Sequence, residues 1–118
     1  MKEATFTVEG KVQSLNAERK AHWSKRAEQA RLWRERFWAE ALKQRVRFER
    51  VEITVEICQK RLMDAGNAYP TIKAAIDGLV DARVIPDDTP AHVAQITLLA
   101  PVRAVDEPER LTLTLKEA

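Results

Sequence analysis

The 32 residues VEITVEICQKRLMDAGNAYPTIKAAIDGLVDA, positions 51–82, change their hydrophobic period half-way along. In the first part Val51, Ile53, Val55 and Ile57 alternate with Glu52, Thr54, Glu56 and Cys58, the period of two expected of a strand covered on one face. From Pro70 onward Ile72, Ile76, Leu79 and Val80 recur every three or four residues, which predicts a helix ending near Ala82. Proline suits the first turn because its fixed φ is helical and its missing N–H is not needed there. A strand that feeds directly into a helix calls for a layered fold in which the helix covers the sheet.

The same test extends in both directions. Upstream, AHWSKRAEQARLWRERFWAEAL (21–42) places Trp23, Ala27, Ala30, Trp33, Phe37 and Ala41 at helical spacing, with Trp38 and Leu42 widening the stripe. This long helix spans roughly 30 Å and exposes Lys25, Arg26, Arg31, Arg34 and Arg36. ATFTVE (4–9) alternates as a first strand. Downstream, HVAQITLLAPV (92–102) and RLTLTLK (110–116) read as two further strands, and AVDEPE (104–109) as the polar turn of a hairpin joining them. The predicted order is strand, helix, strand, helix, strand, strand. The expected fold is α/β (α+β): a two-layer sandwich, with both helices on one face of a four-stranded mixed sheet.

Length and composition agree with a single domain over 1–118. The 118 residues are 45% hydrophobic and 32% charged with three glycines and five prolines, the profile of a folded chain and not of a disordered one. One cysteine, Cys58, excludes an intrachain disulfide. No apolar run approaches the ~20 residues of a membrane span. The polar start MKEATFTVEG has no signal-peptide core, so the expected compartment is the cytoplasm. Charge is distributed unevenly. Between Arg19 and Arg50 eleven Lys or Arg face four Glu, a local +7 in a chain whose total is +2. A basic segment beside an acidic body fits a polyanion such as nucleic acid, while the plainer reading is a solvated helix of mixed charge.

The acidic residues around the second helix raise the question of a site. Asp64 precedes it, Asp77 and Asp81 lie on it, and Asp87 and Asp88 follow it. The helix is about 20 Å long, but the extended segment 83–88 spans up to roughly 17 Å, enough to return Asp88 toward the helix start. Lys73 and Asp77, four apart, share the polar face. Carboxylates brought together repel unless they share a proton or a cation, and hard oxygen ligands suit Mg²⁺ or Mn²⁺. Such a site suggests phosphodiester hydrolysis with the Lys73 ammonium stabilising developing charge. The alternative is that these aspartates are turn formers, caps and a solvated ion pair.

DAGN (64–67), KAAID (73–77) and IPDD (85–88), in that order, resemble the RusA-type Holliday-junction resolvases, and SLNAERKAHW (14–23) is similar to the Ser/Asn-rich loop after that family's first strand. The resemblance covers most of the chain, and its specific part is confined to 64–88. It implies a homodimeric endonuclease acting on branched DNA with Mg²⁺ or Mn²⁺, with Asp64 and Asp88 as metal ligands and Lys73 at the catalytic centre. Asn67, Asp77 and Asp87 are then auxiliary, and Asn16, Arg19, Lys20, Lys25 and Arg26 are the expected DNA contacts. Two positions depart from the family pattern. Gly66 stands where the second Asp of an Asp-x-Asp pair is expected, and AYPT (68–71) lengthens the step from Asn67 to Lys73. The second functional reading is therefore a non-catalytic DNA-binding or scaffold protein that kept the fold and lost the metal site.

Other candidates carry less. Trp23, Trp33 and Trp38 read as core or dimer contacts before base-stacking platforms. His22 and His92 are isolated, Ser14 lacks a paired base, and Cys58 reads as inert packing or surface.

Overall fold

The computed structural model describes residues 2–12 and 23–118. Strand β1 (Glu3–Glu9) is followed by helix α1 (Trp23–Gln44), strand β2 (Val51–Gln59), a 3₁₀ turn (Ala65–Ala68) and helix α2 (Tyr69–Asp81). Strands β3 (Val93–Leu98), β4 (Val102–Arg103) and β5 (Arg110–Glu117) complete a mixed sheet in the order β1-β5-β2-β3, with the two-residue β4 also paired to β2. The fold is the expected mixture of α and β, with five strands instead of four.

The hairpin predicted over 104–109 does not form. β3 and β4 run parallel to one side of β2, and β5 crosses to the other side, where it lies antiparallel between β1 and β2. The reason lies in the side chains of β5. Leu111, Leu113 and Leu115 are fully buried, which an inner strand with two neighbours provides and an outer hairpin arm does not. Parallel pairing of β2 with β3 is what α2 makes possible, since parallel strands need a crossover long enough for a helix.

One face of the sheet holds the core. Phe6, Val8, Ile53, Val55, Ile57 and the β5 leucines meet Trp33, Phe37 and Ala41 from α1 and Ile72, Ala75, Ile76 and Leu79 from α2. Burying each large side chain contributes about 1.5–3 kcal/mol before entropy is subtracted. The other face is polar. Register aligns Thr5, Thr114, Thr54 and Thr97 in a row across four strands, and Thr5–Thr114 (3.3 Å) and Thr7–Thr112 (3.0 Å) hydroxyl pairs tie β1 to β5.

Two expectations about side-chain facing are corrected. Ala27, Ala30 and Leu42, placed on the buried stripe of the long helix, are exposed, as are Trp23 and Trp38; only Trp33, Phe37 and Ala41 are buried. The buried stripe is narrow because α2 meets α1 around Gly78, and residues 23–31 are exposed. Cys58 also differs: expected to face away from the core, it is buried, because the chain returning from β4 covers the end of β2. Its thiol donates to Glu107 Oε1 at 3.1 Å, and that carboxylate raises the thiol above its ordinary range, which fits an inert cysteine. Among the described residues no helix is long and apolar enough to cross a membrane.

Candidate functional site

Helix α2 opens on the 3₁₀ turn, where the Asn67 N–H donates to the Asp64 carbonyl at 2.9 Å. Its far end is a Schellman closure: the Val84 N–H donates to Leu79 O (3.0 Å) and the Arg83 N–H to Val80 O (2.9 Å), with Arg83 at φ 62°. That closure turns the chain sharply. Val84 and Ile85 bury themselves in the core, and the Phe48 N–H fixes the carbonyl of Val84 at 2.7 Å. The segment then runs back along the outside of α2.

The return brings three of the expected residues to one atom. Lys73 Nζ donates to Asp77 Oδ1 at 2.6 Å and to Asp88 Oδ2 at 2.5 Å. Asp87 Oδ1 accepts the Asp88 N–H at 2.8 Å, which orients the loop. All three members of the cluster are part-buried, so the pairs are stronger than freely exposed ones. The hydrogen bonds to Asp77 and Asp88 push the Lys73 ammonium up to about 12. In return the bond from Lys73 holds the Asp88 carboxyl below the usual carboxylate range.

The remaining expected residues are placed differently. The Asp64 side chain is exposed and makes no capping hydrogen bond, and Asn67 is half-buried in the 3₁₀ turn. Among the described residues no three carboxylates, imidazoles or thiols gather around a common point, so Asp64 does not join Asp77 and Asp88 as a third ligand. Asp87 is exposed beside the cluster and Gly66 faces open space. Lys25 and Arg26 are exposed on the first turns of α1; Asn16, Arg19 and Lys20 lie outside the described residues.

Donor chemistry decides whether a cation would fit. Two oxygens that both lie within 2.6 Å of one nitrogen are at most about 5 Å apart, and two oxygens on opposite sides of one Mg²⁺ are about 4 Å apart. That bound includes separations one small divalent cation could bridge, so Asp77 and Asp88 are the two oxygen donors the cluster offers such an ion. Mg²⁺ commonly uses only one or two protein carboxylates, with water and substrate phosphate supplying the rest. In the structure Lys73 bridges that pair and offsets one of its two negative charges.

No family model and no curated protein matches this sequence. The reading of the site therefore rests on its own geometry.

Two features went unread in the sequence. Arg34 binds Asp81 through both carboxylate oxygens, at 2.5 and 2.8 Å, clamping α1 to α2. That bond raises the arginine and lowers the Asp81 carboxyl. The partners stand 47 positions apart, and only the packing of the two helices reveals them as a pair. Beside the clamp runs a groove of about 600 Å³ lined by Ala27, Ala30, Trp38, Lys73 and Asp77. It leads from the basic end of α1 to the Lys73 cluster. The helical spacing of Trp38 suggested packing, but its position on the flank of the stripe leaves it on the groove wall.

Proposed function

We propose that this chain is a RusA-like endonuclease of branched DNA, acting in the cytoplasm as a homodimer with Mg²⁺ or Mn²⁺. The observation that carries the reading is the meeting of Lys73, Asp77 and Asp88 at one nitrogen, although the first and last are fifteen positions apart. These three fall within the segment that resembles the family, and a purely structural turn would not need the chain to return across the helix face.

In this reading the residues divide the work. Asp88 and Asp77 would hold the metal, which when bound supplies neutralising charge at a phosphodiester. Lys73 remains protonated throughout the physiological range, so it acts as a fixed cation toward a phosphate or leaving oxygen and not as a proton acceptor. Asp77 holds Lys73 in place, Asp87 fixes the loop that carries Asp88, and Asn67 orients the turn after Asp64. Lys25 and Arg26, together with Asn16, Arg19 and Lys20, contact the DNA backbone. A four-way junction has two scissile strands related by a near two-fold axis, which two sites on a C2 dimer match.

A second reading is favoured by two observations: Gly66 supplies no carboxylate, and both clustered carboxylates already have a counter-ion. It is a DNA-binding or scaffold protein without hydrolytic activity. The deciding experiment is cleavage of a synthetic four-way junction with Mg²⁺ and with Mn²⁺, using Asp88→Asn as the control. Metal-dependent cutting that the substitution abolishes supports the nuclease. Binding without cutting in either metal supports the scaffold, and equal affinity for junction and linear duplex removes the branched-DNA claim from both.

A further inference from the structure

Two arginines take a backbone conformation that suits glycine. Arg45, directly after α1, has φ 52°, and Arg83, closing α2, has φ 62°. Among the described residues a positive φ without glycine recurs at Asp106, but aspartate is common in that region and arginine is not. Both arginines begin loops that meet, because the Phe48 N–H donates to Val84 O at 2.7 Å. The C-terminal ends of the two helices therefore share one corner of the molecule. Cations there complement the helix dipoles, which is the plainer reading, yet a lysine or arginine in the last helical turn does the same without the strain.

What this corner adds is unpaired positive charge. Lys2, Arg45, Arg47, Arg50 and Arg83 are exposed, and among the described residues none has a carboxylate within ion-pair distance, whereas Arg31, Arg34, Lys43, Lys73 and Arg110 each have one. Glu49 and Glu117 stand among the five cations and leave a local charge of +3. Lys2, Arg47 and Arg83 line one concavity of about 540 Å³, where Lys2 Nζ lies 4.5 Å from the centre of the Phe48 ring and so is held without being neutralised. Four of the five cations are arginines, whose planar fork matches phosphate oxygens. They come from separate segments of the chain, and the two glutamates in the wall would repel a single enclosed anion. A row of phosphates instead touches the separate guanidinium groups one by one. We propose that this corner is a second binding surface for the phosphodiester backbone of duplex DNA, built from Lys2, Arg45, Arg47 and Arg83 and sharing no residue with the groove beside Lys73. Its spacing fits. Lys25 and Arg45 stand about 30 Å apart along α1 at about 1.5 Å per residue, close to the ~34 Å turn of a duplex, so one arm of DNA can present the same side to both ends. The inference rests on the proposed DNA contact for the identity of the polyanion, and it needs neither metal, branch nor cleavage.

Replacement by glycine separates binding from stability. Arg45→Gly combined with Arg83→Gly removes two guanidinium groups and relieves two left-handed arginines, so the double variant should melt higher than wild type. Its binding to a linear duplex of about two turns, read by fluorescence anisotropy in EDTA, should weaken by at least about tenfold near ~100 mM salt. The slope of log affinity against log salt should fall by about 2, and Arg47→Ala alone, at an exposed position, should lower it by about 1 with the melt unchanged. If the arginines serve only the helix ends, the variants keep the wild-type duplex affinity and the inference is overturned. It is overturned equally if wild type shows no salt-dependent binding of the duplex, or if the double variant loses binding only to vesicles containing phosphatidylserine. Junction cleavage is read separately, because Lys73, Asp77 and Asp88 are unchanged and the assay holds no metal; either result can fail while the other stands.

Discussion

Lys73 decides what the candidate site is, because one ammonium bridges two carboxylates that would otherwise repel and leaves the cluster a net charge of −1. Replacing it with methionine keeps the stem and removes the charge. Asp77 and Asp88 then need another counter-ion, so Lys73→Met should take up Mn²⁺ more tightly than wild type, measured by calorimetry. Equal Mn²⁺ affinity in the two proteins would show that the lysine does not compete for the cation's place. The pH behaviour follows from the same bonds. Asp88 titrates lower in the folded chain than in the unfolded one, so its contribution is complete above the ordinary carboxylate value of about 3.9 and disappears as pH falls through the folded value. Lys73 titrates higher, so its contribution is complete below the ordinary lysine value and disappears as pH rises toward about 12. Urea unfolding of wild type and Asp88→Asn should therefore differ by a constant amount from about pH 5 to pH 9, at most about 1 kcal/mol for a part-exposed pair, and the gap should shrink steadily as pH falls below the ordinary carboxylate value. A gap that does not shrink as the solution is acidified would assign the loss to packing and not to charge.

Helix α2 carries two backbone conflicts that only its surroundings resolve. Gly78 sits mid-helix, where glycine costs about 1 kcal/mol relative to alanine. A Cβ there would collide with the Arg34 carbonyl, so the absent side chain is what lets α1 and α2 cross closely. Gly78→Ala should destabilise by about 1–3 kcal/mol despite its better helix propensity, lowering the thermal midpoint. Arg83 shows the reverse case. It adopts φ 62° to close the Schellman turn, a conformation that costs a residue with a side chain about 1 kcal/mol. Arg83→Gly should raise the midpoint in the same thermal melt, and an unchanged or lower value would contradict the strain assigned to it. The turn was partly legible in the sequence, since an arginine just past a helix end stands where a left-handed glycine is easier. The strands were legible from their alternation, and α2 from its stripe. The partner of β5 was not, because alternation reports which face is buried and says nothing about which neighbour lies on each side. Likewise Lys73 and Asp77 were readable as a helical pair from their spacing of four. Asp88 could be shown only to be within reach, since a flexible segment of six residues leaves its direction open.

Over the whole molecule charge is separated by element. Residues 23–31 of α1 are exposed and carry Lys25, Arg26 and Arg31 against one Glu28, whereas the open face of the sheet presents Glu3, Glu9, Glu52 and Glu56 with Arg110 and Lys116 paired among them. Local sums along the sequence already showed a basic segment, but its exposure beside the groove that leads to Lys73 depends on how the two helices pack. A polyanion should therefore meet the helix end and avoid the sheet. Each lysine or arginine that neutralises a phosphate releases condensed counter-ions, so the logarithm of affinity falls with the logarithm of salt by a slope of about 0.9 per contact on duplex DNA. Replacing Lys25 and Arg26 together with alanine should weaken binding to a four-way junction and reduce that slope by about 2. Glu52→Lys and Glu56→Lys on the open sheet face should leave the slope unchanged, because that face points away from the helices. A fluorescence-anisotropy titration over several salt concentrations reads both quantities. A slope that does not change in the helix variant, or that rises in the sheet variant, would move the DNA contact off α1 and remove the basis for placing the junction beside Lys73.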